Sequence, residues 1–477
     1  MRRAKIVATF GPAVASYEKT LAVIDAGVDV ARMNMSHGDH AVHDNTYINV
    51  RKAAAELGRT VAVMADLQGP KIRLGRFADG PHILTAGDTF TITTDDVEGT
   101  AQLCSTTYKG LPGDVRPGDT LLIDDGKVAL RAVAVTANNV VAEVTVAGTV
   151  SNNKGINLPG VAVSVPALSM KDEEDLRWAI RRGVDFIALS FVRSAADVTR
   201  VHEIMDEEGR RAPVIAKIEK PQGVDALEEI IDAFDAIMVA RGDLGVELPL
   251  EDVPVVQKRA VELARRWAKP VIVATQVLES MVENPRPTRA EASDCANAVL
   301  DGADAVMLSG ETSVGKYPVE TVVTMARIIE STEKHGLDRI PPLGSQPRTR
   351  AGAITRAAVE IASQLEARTI CAFTQSGDTA RRLSRLRPTR PVLAFSPTEQ
   401  VRNQLALVWG IQPMLAEEAA HTDEMTRQVD RVLLEKDLAQ PGELVVLAAG
   451  SPPGVAGSTN LVKAHNVGDL GDAGLLP

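Results

Sequence analysis

The stretch PVIAKIEKPQGV, beginning at Pro213, sets Lys217 and Glu219 two residues apart in an apolar run that stops at Pro221 and Gly223. In a strand, side chains two apart share a face, so a cation and a carboxylate lie together at the strand's C-terminal end. A parallel strand offers little water to solvate them. Taken alone, the segment reads equally well as a snorkelling lysine beside a helix-capping glutamate. The neighbouring segments repeat the pattern. ARMNMSHG aligns Arg32, Asn34 and Ser36, and MADLQGPKIR brings Asp66 and, past the strand end, Lys71 and Arg73. MVARGDLG holds Arg241 and Asp243 two apart, another run ends at Thr275, and LSGET carries Ser309 and Glu311. Polar groups thus gather at one end of successive strands, as catalytic groups do in barrel enzymes.

The chemistry follows from the residue types. Glu219 and Asp243 are two hard carboxylates, with Gly242 permitting close backbone approach. They suit Mg2+ or Mn2+, which completes its shell with water or phosphate oxygens. Arg32, Arg73 and Lys217 add fixed positive charge, making a clamp for a transferring phosphoryl group. No Walker A sequence occurs, so the nucleotide is not held by a P-loop. The histidines lack metal-ligand spacing, and His37 reads as a hydrogen-bonding residue rather than a base.

Periodicity predicts the elements that must position these groups. Strands begin at residues 5, 28, 61, 184, 214, 236, 271 and 305, each followed by a helix once an insertion is skipped. Eight such units predict a closed (β/α)8 TIM barrel over residues 1–70 and 167–335. Across 71–166 helical periodicity gives way to short β-rich runs with turn signals at Asp125-Gly126 and Asn138-Asn139, an inserted all-β domain. A polar linker, 335–350, leads to a C-terminal open-sheet α/β domain over 350–477.

The 477 residues and net charge of -11 disfavour nucleic acid or an anionic membrane as the main partner, without excluding an anionic substrate. Three scattered cysteines, Cys104, Cys295 and Cys371, imply neither a disulfide framework nor a zinc cluster. The N-terminus lacks a secretory apolar core, and no run reaches membrane-spanning length, so the expected location is cytoplasmic.

In family terms, APVIAKIEKPQGV resembles the signature of the pyruvate kinases. ATFGPA, ARMNMSHG, ADLQGPKIRLG, IMVARGDLGVELP, ATQVLESM, NPRPTRAEASDCANAVLDGADAVMLSGET and KYPVETV resemble that family's other blocks, in its order. The resemblance extends through NKGINLPG and the C-terminal domain, over essentially the whole chain. It implies phosphoryl transfer from phosphoenolpyruvate to ADP, giving pyruvate and ATP. The implied metal ligands are Glu219 and Asp243, for Mg2+ or Mn2+. Lys217 would neutralise the phosphoryl group and the enolate; the backbone of Ala240, Arg241, Gly242 and Asp243, with the Thr275 hydroxyl, would hold the substrate carboxylate. Arg32, Asn34, Arg73 and Lys154 would contact nucleotide or transferring phosphate, Lys154 from the insertion acting as a β-barrel lid domain. The final proton would come from Thr275 or from water through Ser309 and Glu311. A homotetramer is implied, with the segment around Arg286 to Arg289 as a subunit contact.

Two departures from the family's pattern stand out. Many members hold K+ with groups equivalent to Asn34, Ser36 and Asp66 plus a threonine where this chain has Leu67, and carry glutamate where it has Lys71. Exchanging a carboxylate for an ammonium changes the local charge by two units, so Lys71 is expected to replace K+, with Leu67 and Gln68 fitting the altered pocket. In the C-terminal domain, Thr374, Gln375, Ser376, Gly377, Asp378 and Thr379 form a phosphate cradle of hydroxyls and amides at a helix start, or a simple N-cap pair. The resemblance makes this the effector loop, its second wall at Ser451 to Asn460. Relatives activated by fructose 1,6-bisphosphate usually carry a basic residue near Asp378, where the charge here is reversed, so a sugar monophosphate or AMP is expected rather than fructose 1,6-bisphosphate. Rival readings are a catalytically silent metabolite sensor, which the set Lys217, Glu219, Asp243 and Thr275 disfavours, and a metal-dependent 2-oxo acid aldolase, which leaves the insertion and Lys154 unexplained.

Overall fold

Eight short strands, all buried along their length, close on one another in a computed structural model that describes residues 2–161 and 163–469. Residue 1, residue 162 of the insertion and residues 470–477 of the C-terminal domain lie outside the described residues. The strands are Lys5–Phe10, Val30–Asn34, Ala62–Asp66, Phe186–Leu189, Val214–Ile218, Ala236–Ala240, Val271–Ala274 and Ala305–Leu308. Each runs parallel to its neighbours in sequence order, and the eighth pairs with the first. Both faces are covered, which is why the strands read as unbroken apolar runs.

Within each strand the side chains divide strictly. Ile6, Ala8, Ala31 and Val63 face the surrounding helices, whereas Val7, Val30, Met64, Ala188, Ile215, Met238, Ile272 and Met307 fill the barrel interior. Two C-terminal-domain residues, Ala406 and Leu407, belong to that same interior cluster. They come from the turn Leu405–Leu407 and stopper the N-terminal end of the barrel. The junction is fastened by Lys5 Nζ donating to Ile411 O at 2.8 Å and by the Trp409 amide donating to Asp304 Oδ1 at 3.1 Å.

The insertion departs between the third and fourth barrel strands and has its own core, built around Phe90, Leu121, Leu130 and Val140. It was expected as a β-barrel, and the structure corrects this. It forms a six-stranded sheet whose edge strands, Ile156–Asn157 and Leu103–Ser105, do not pair with each other. The irregular segment 72–77 runs between those edges instead. Leu74 N donates to Lys154 O at 2.8 Å on one side, and Gly75 N to Ser105 O at 2.8 Å on the other. Closure is therefore made by single bridges rather than by a regular ladder. Where the insertion returns, Arg193 donates to Val163 O at 2.5 Å and to Val165 O at 2.6 Å, clamping the strap to the barrel.

The C-terminal sheet orders its strands Ile411–Leu415, Val392–Ser396, Ile370–Phe373, Leu444–Gly450 and Thr459–Asn466. The first four are parallel, and the last is antiparallel to its neighbour. Sequence patterning anticipates the parallel strands. It misses Thr459–Asn466, an edge strand whose polar residues fall on both faces without alternation, and the helices Glu399–Gln404 and Thr422–Glu435. Among the described residues no helix is long and apolar enough to cross a membrane, and all three cysteines are buried and free.

Candidate active site

Two residues above the apolar interior layer, the same inward faces turn polar. Continuing from Val7, Val30, Met64, Ala188 and Ile215 by steps of two gives Thr9, Arg32, Asp66, Ser190 and Lys217, with Glu219 one step further. The site is thus the top course of the barrel core, and its side chains are nearly as buried as the layer beneath. Arg32 and Lys217 are each 9% exposed, and Asp66 and Glu219 each 1%.

These groups bond in a continuous chain. Arg32 Nε donates to Asp66 Oδ2 at 2.6 Å, and Arg32 Nη1 to Thr9 Oγ1 at 2.9 Å. Lys217 Nζ donates to Ser190 Oγ at 2.7 Å and lies 3.0 Å from Glu219 Oε1 and 3.2 Å from Asp66 Oδ1. The last contact is an ion pair without hydrogen-bond geometry, and Asp66 Oδ1 has no hydrogen-bond partner. Burial alone would raise the Asp66 carboxyl, but Lys217 and then Arg32 hold it below its ordinary value. Burial opposes the Lys217 charge, yet Asp66 and Glu219 keep the ammonium above the ordinary lysine value. Glu219 is the exception: burial pushes it up, Lys217 offsets part of this, and the nearby charge of Asp243 adds to the rise.

That imbalance is the test of a metal at this place. Glu219, whose ionisation the charge of Asp243 makes more costly, would be relieved by a cation placed between the two carboxylates, and the protein would supply it one ligand from each. No cluster of three or more metal-ligating side chains occurs among the described residues. A small hard ion that keeps water or substrate oxygens in most of its shell fits such a pair. Asp243 also faces the cleft of about 510 Å3 between barrel and insertion, together with Lys71, Phe191, Arg193 and Lys220.

Strained backbone surrounds the pair. Phe191 (φ 56°), Thr275 (φ 68°) and Gln276 (φ 54°) adopt left-handed conformations costly for such residues. Each of the first two is held by a site neighbour. The Phe191 amide donates to Glu219 Oε2 at 2.7 Å, and Thr275 O accepts from Arg241 Nη2 at 2.8 Å. Thr275 Oγ1 accepts from the Gly242 amide at 2.7 Å. Arg241 also pairs with Asp294 at 2.8 Å, so its side chain braces the loop. At Gly242 a Cβ would meet Thr275 Oγ1 at an ordinary 3.4 Å, so packing within the protein does not itself demand glycine there. Packing does demand it at Gly69, where φ is 73° and a Cβ would come within 2.8 Å of Phe191 and Ser190.

Other expected residues lie elsewhere. Asn34 is at the barrel rim, its Oδ1 accepting from the Ser36 amide at 3.2 Å. Lys71 packs along Gly155 of the insertion and forms no ion pair with Asp66 among the described residues; the ammonium beside Asp66 is that of Lys217. Arg73 and Lys154 are on the insertion, donating to Asn153 O at 3.0 Å and Asp124 Oδ1 at 2.9 Å. Glu311 is engaged by the amides of Leu278 at 3.1 Å and Ser309 at 2.7 Å, a loop-closing role. In the C-terminal domain, Thr374, Gln375, Ser376, Asp378 and Thr379 line a cavity of about 540 Å3. Its far wall runs from Pro453 to Thr459, and Glu417 and Glu418 complete it. Gly377 (φ 81°) turns the chain, Thr379 and Thr459 hydroxyls meet at 2.7 Å, and Asp378 pairs with Arg382 at 2.6 Å. Sequence reasoning overlooked Ser190 and Thr9, although both stand at the strand-end position that found their neighbours.

Replacing Asp66 by Asn should leave Arg32 and Lys217 without their shared counter-charge. The expected cost is about 3–5 kcal/mol, read as a lower urea midpoint for the first unfolding transition. Because the folded carboxyl titrates below its ordinary 3.8, its contribution is present above that value and is lost only as pH falls through the lowered one. An unchanged midpoint at neutral pH would contradict the assignment.

The chain matches the family model for the pyruvate kinase barrel domain over residues 1–322 and that for the pyruvate kinase alpha/beta domain over residues 352–465. It is 61% identical over 468 residues to a pyruvate kinase of Corynebacterium efficiens, covering 98% of each chain. A pyruvate kinase of Mycobacterium tuberculosis is 58% identical over 468 residues, 98% of this chain and 99% of that one. The crystal structure of a pyruvate kinase from Cryptosporidium parvum superposes with a TM-score of 0.89 at 36% identity, covering 98% of this chain and 96% of that chain.

Proposed function

The chain belongs to the pyruvate kinase family, and from that premise we propose how its residues move the phosphoryl group of phosphoenolpyruvate to ADP, giving pyruvate and ATP. The observation that carries this reading is the Lys217 ammonium, held between Asp66 and Glu219 at the barrel mouth, with Asp243 facing the same cleft.

Lys217 stays protonated, so it offers a fixed positive charge to the phosphoryl group in flight and to the enolate left behind. Asp66, Ser190 and Glu219 keep the ammonium from swinging away before the reaction, which spares reorganisation when charge moves. Glu219 and Asp243 would hold the divalent ion, Mg2+ or Mn2+, whose chemistry when bound is Lewis-acid stabilisation of negative charge on oxygen. The substrate carboxylate lies against the backbone of Ala240 to Asp243 and the Thr275 hydroxyl. Arg32 and Asn34 approach the transferring phosphate from the second strand. Closure of the insertion then brings Arg73 and Lys154 toward the nucleotide and expels water, which would otherwise compete as acceptor. Thr275, or water relayed through Ser309 and Glu311, protonates the enolate. The enzyme works in the cytoplasm as a homotetramer, with the exposed segment around Arg286 to Arg289 at a subunit contact.

Lactate dehydrogenase-coupled NADH consumption tests the activity. Turnover should require phosphoenolpyruvate, ADP and a divalent ion together. Glu219→Gln should lower it by at least about a thousandfold, given the weight of such charge stabilisation. Pyruvate release without ADP would overturn the reading, since a phosphotransferase needs its acceptor.

Lys71 replaces K+ in this scheme. Lys71 lines the active-site cleft near where the insertion leaves the barrel, its side chain along Gly155, and closure of the insertion would have to carry the ammonium toward Asp66. Turnover should therefore persist at a comparable rate when tetramethylammonium is the only monovalent cation. A strict need for K+ would refute this.

The loop from Thr374 to Thr379 takes the effector, a sugar monophosphate or AMP. Support comes from the hydroxyl-lined cavity, where Glu417 and Glu418 disfavour a second phosphate. Calorimetric titration of the full-length enzyme should give tighter binding for these ligands than for fructose 1,6-bisphosphate. The reverse order would reject the assignment.

A further inference from the structure

The short helix Arg241–Glu247 begins in the active site and ends against the insertion. Its first turn holds Gly242, whose amide donates to Thr275 Oγ1, and Asp243, which faces the cleft. Its last residue, Glu247, is only 6% exposed. One oxygen of that carboxylate takes both side-chain partners: Glu247 Oε1 accepts from Asn157 Nδ2 at 2.9 Å and pairs with the Lys220 ammonium. Glu247 Oε2 is buried without a hydrogen-bond partner among the described residues.

The two partners come from different parts of the site. Asn157, equally buried, ends the insertion's edge strand Ile156–Asn157 and pairs with Leu122 in the next strand. Lys220 follows Glu219 in the chain, and its ammonium lies 5.6 Å from the centre of the Phe191 ring. The other hydrogen bonds from barrel to insertion end on backbone carbonyls of the strap, at Val161, Val163 and Val165. Among the described residues, Asn157 to Glu247 is the one hydrogen bond joining a side chain of the insertion to a side chain of the barrel. Carbonyl contacts tolerate any residue at their accepting end. This bond needs an amide on one side and a charged acceptor on the other, and a buried carboxylate that loses a donor bears the cost of the missing bond.

We propose that Glu247 is a positioning residue for phosphoryl transfer: it seats the insertion on the helix that carries Asp243, so that groups from insertion and barrel face the cleft in one fixed relation. The helix is a stiff link roughly 10 Å long between that contact and the substrate end. Glu247 itself touches no substrate. Its role rests on the reading in which Arg73 and Lys154, both on the insertion, reach the nucleotide while phosphoenolpyruvate lies on the barrel. A displaced insertion then costs the nucleotide its contacts and spares those of phosphoenolpyruvate.

Asn157→Asp sets a second carboxylate against Glu247. It should raise the KM for ADP at least about tenfold, the weight of a hydrogen bond to a charged group, with a much smaller change in the KM for phosphoenolpyruvate. Adding Glu247→Gln restores a donor and an acceptor with their places exchanged, and should return the KM for ADP to within about threefold of the parent. Loss of packing alone would not be repaired by a second substitution. Hydrogen exchange of the full-length, substrate-free enzyme reads the seating apart from turnover. Amides over residues 156–161 should exchange faster in Asn157→Asp and recover in the double variant. If the circular dichroism of Asn157→Asp departs from that of the parent, Asn157→Ala serves as the single substitution and should show the same split between the two KM values. Exchange that is unchanged by the single substitution, or unrepaired by the double one, would overturn the seating. Exchange altered and repaired while the KM for ADP stays constant would overturn the role in phosphoryl transfer, through the assignment of Arg73 and Lys154, with the seating intact.

Discussion

Everything at the barrel mouth depends on charge balance inside a space with almost no water. Arg32 and Lys217 contribute two positive charges, and Asp66 and Glu219 two negative ones, within one buried layer. Any single one of them, isolated at that depth, would cost more than its neighbours could return. Together they persist because Thr9 and Ser190 take the remaining donors. The balance is uneven in one respect. Asp66 is held firmly ionised by two cations, while Glu219 shares one cation and faces Asp243. The arrangement is stable enough to fold, yet leaves its outer edge, at Glu219 and Asp243, short of positive charge.

Much of this was legible because a parallel barrel has so simple a rule. Once a strand is recognised, period two decides which residues face inward, and the last inward position at the C-terminal end faces the site. That rule found Arg32, Asp66, Lys217 and Glu219 without reference to tertiary contacts. It also reaches Ser190 and Thr9, which stand at the same inward strand-end positions. What sequence could not supply were features decided by distant partners. Arg241 has the spacing of a site residue, but Asp294, more than fifty positions away, turns its side chain to bracing the Thr275 loop. Lys71 follows the third strand directly, yet the chain has already left the barrel there, and its side chain lies along Gly155. The segment 72–77 closes the insertion through isolated bridges that leave no periodic signature.

The opposite end of the barrel is sealed by a different means. Leu407 and Ala406 fill the bottom of the interior, so the apolar layers run without a gap from the C-terminal domain to the charged course above. Packed interiors of this kind shift between discrete arrangements rather than deforming smoothly. The barrel and C-terminal domain are therefore best regarded as one body, fastened also by Lys5, Asp304 and Arg387. The insertion has a separate core and meets the barrel through the Arg193 clamp and the buried Asn157–Glu247 bond.

The same separateness bears on how the chain reaches its native state. The third and fourth barrel strands pair directly, Met64 beside Phe186 and Asp66 beside Ala188, although the whole insertion lies between them in sequence. Bringing those strands together means closing a long loop before the ladder can reward it, a cost that slows folding more than it lowers stability. An insertion that collapses first around Phe90, Leu121 and Leu130 draws its own two ends near each other. The loop left to close is then only the two short connectors. Early assembly of the insertion thus shortens the search by which the barrel finds its last partner.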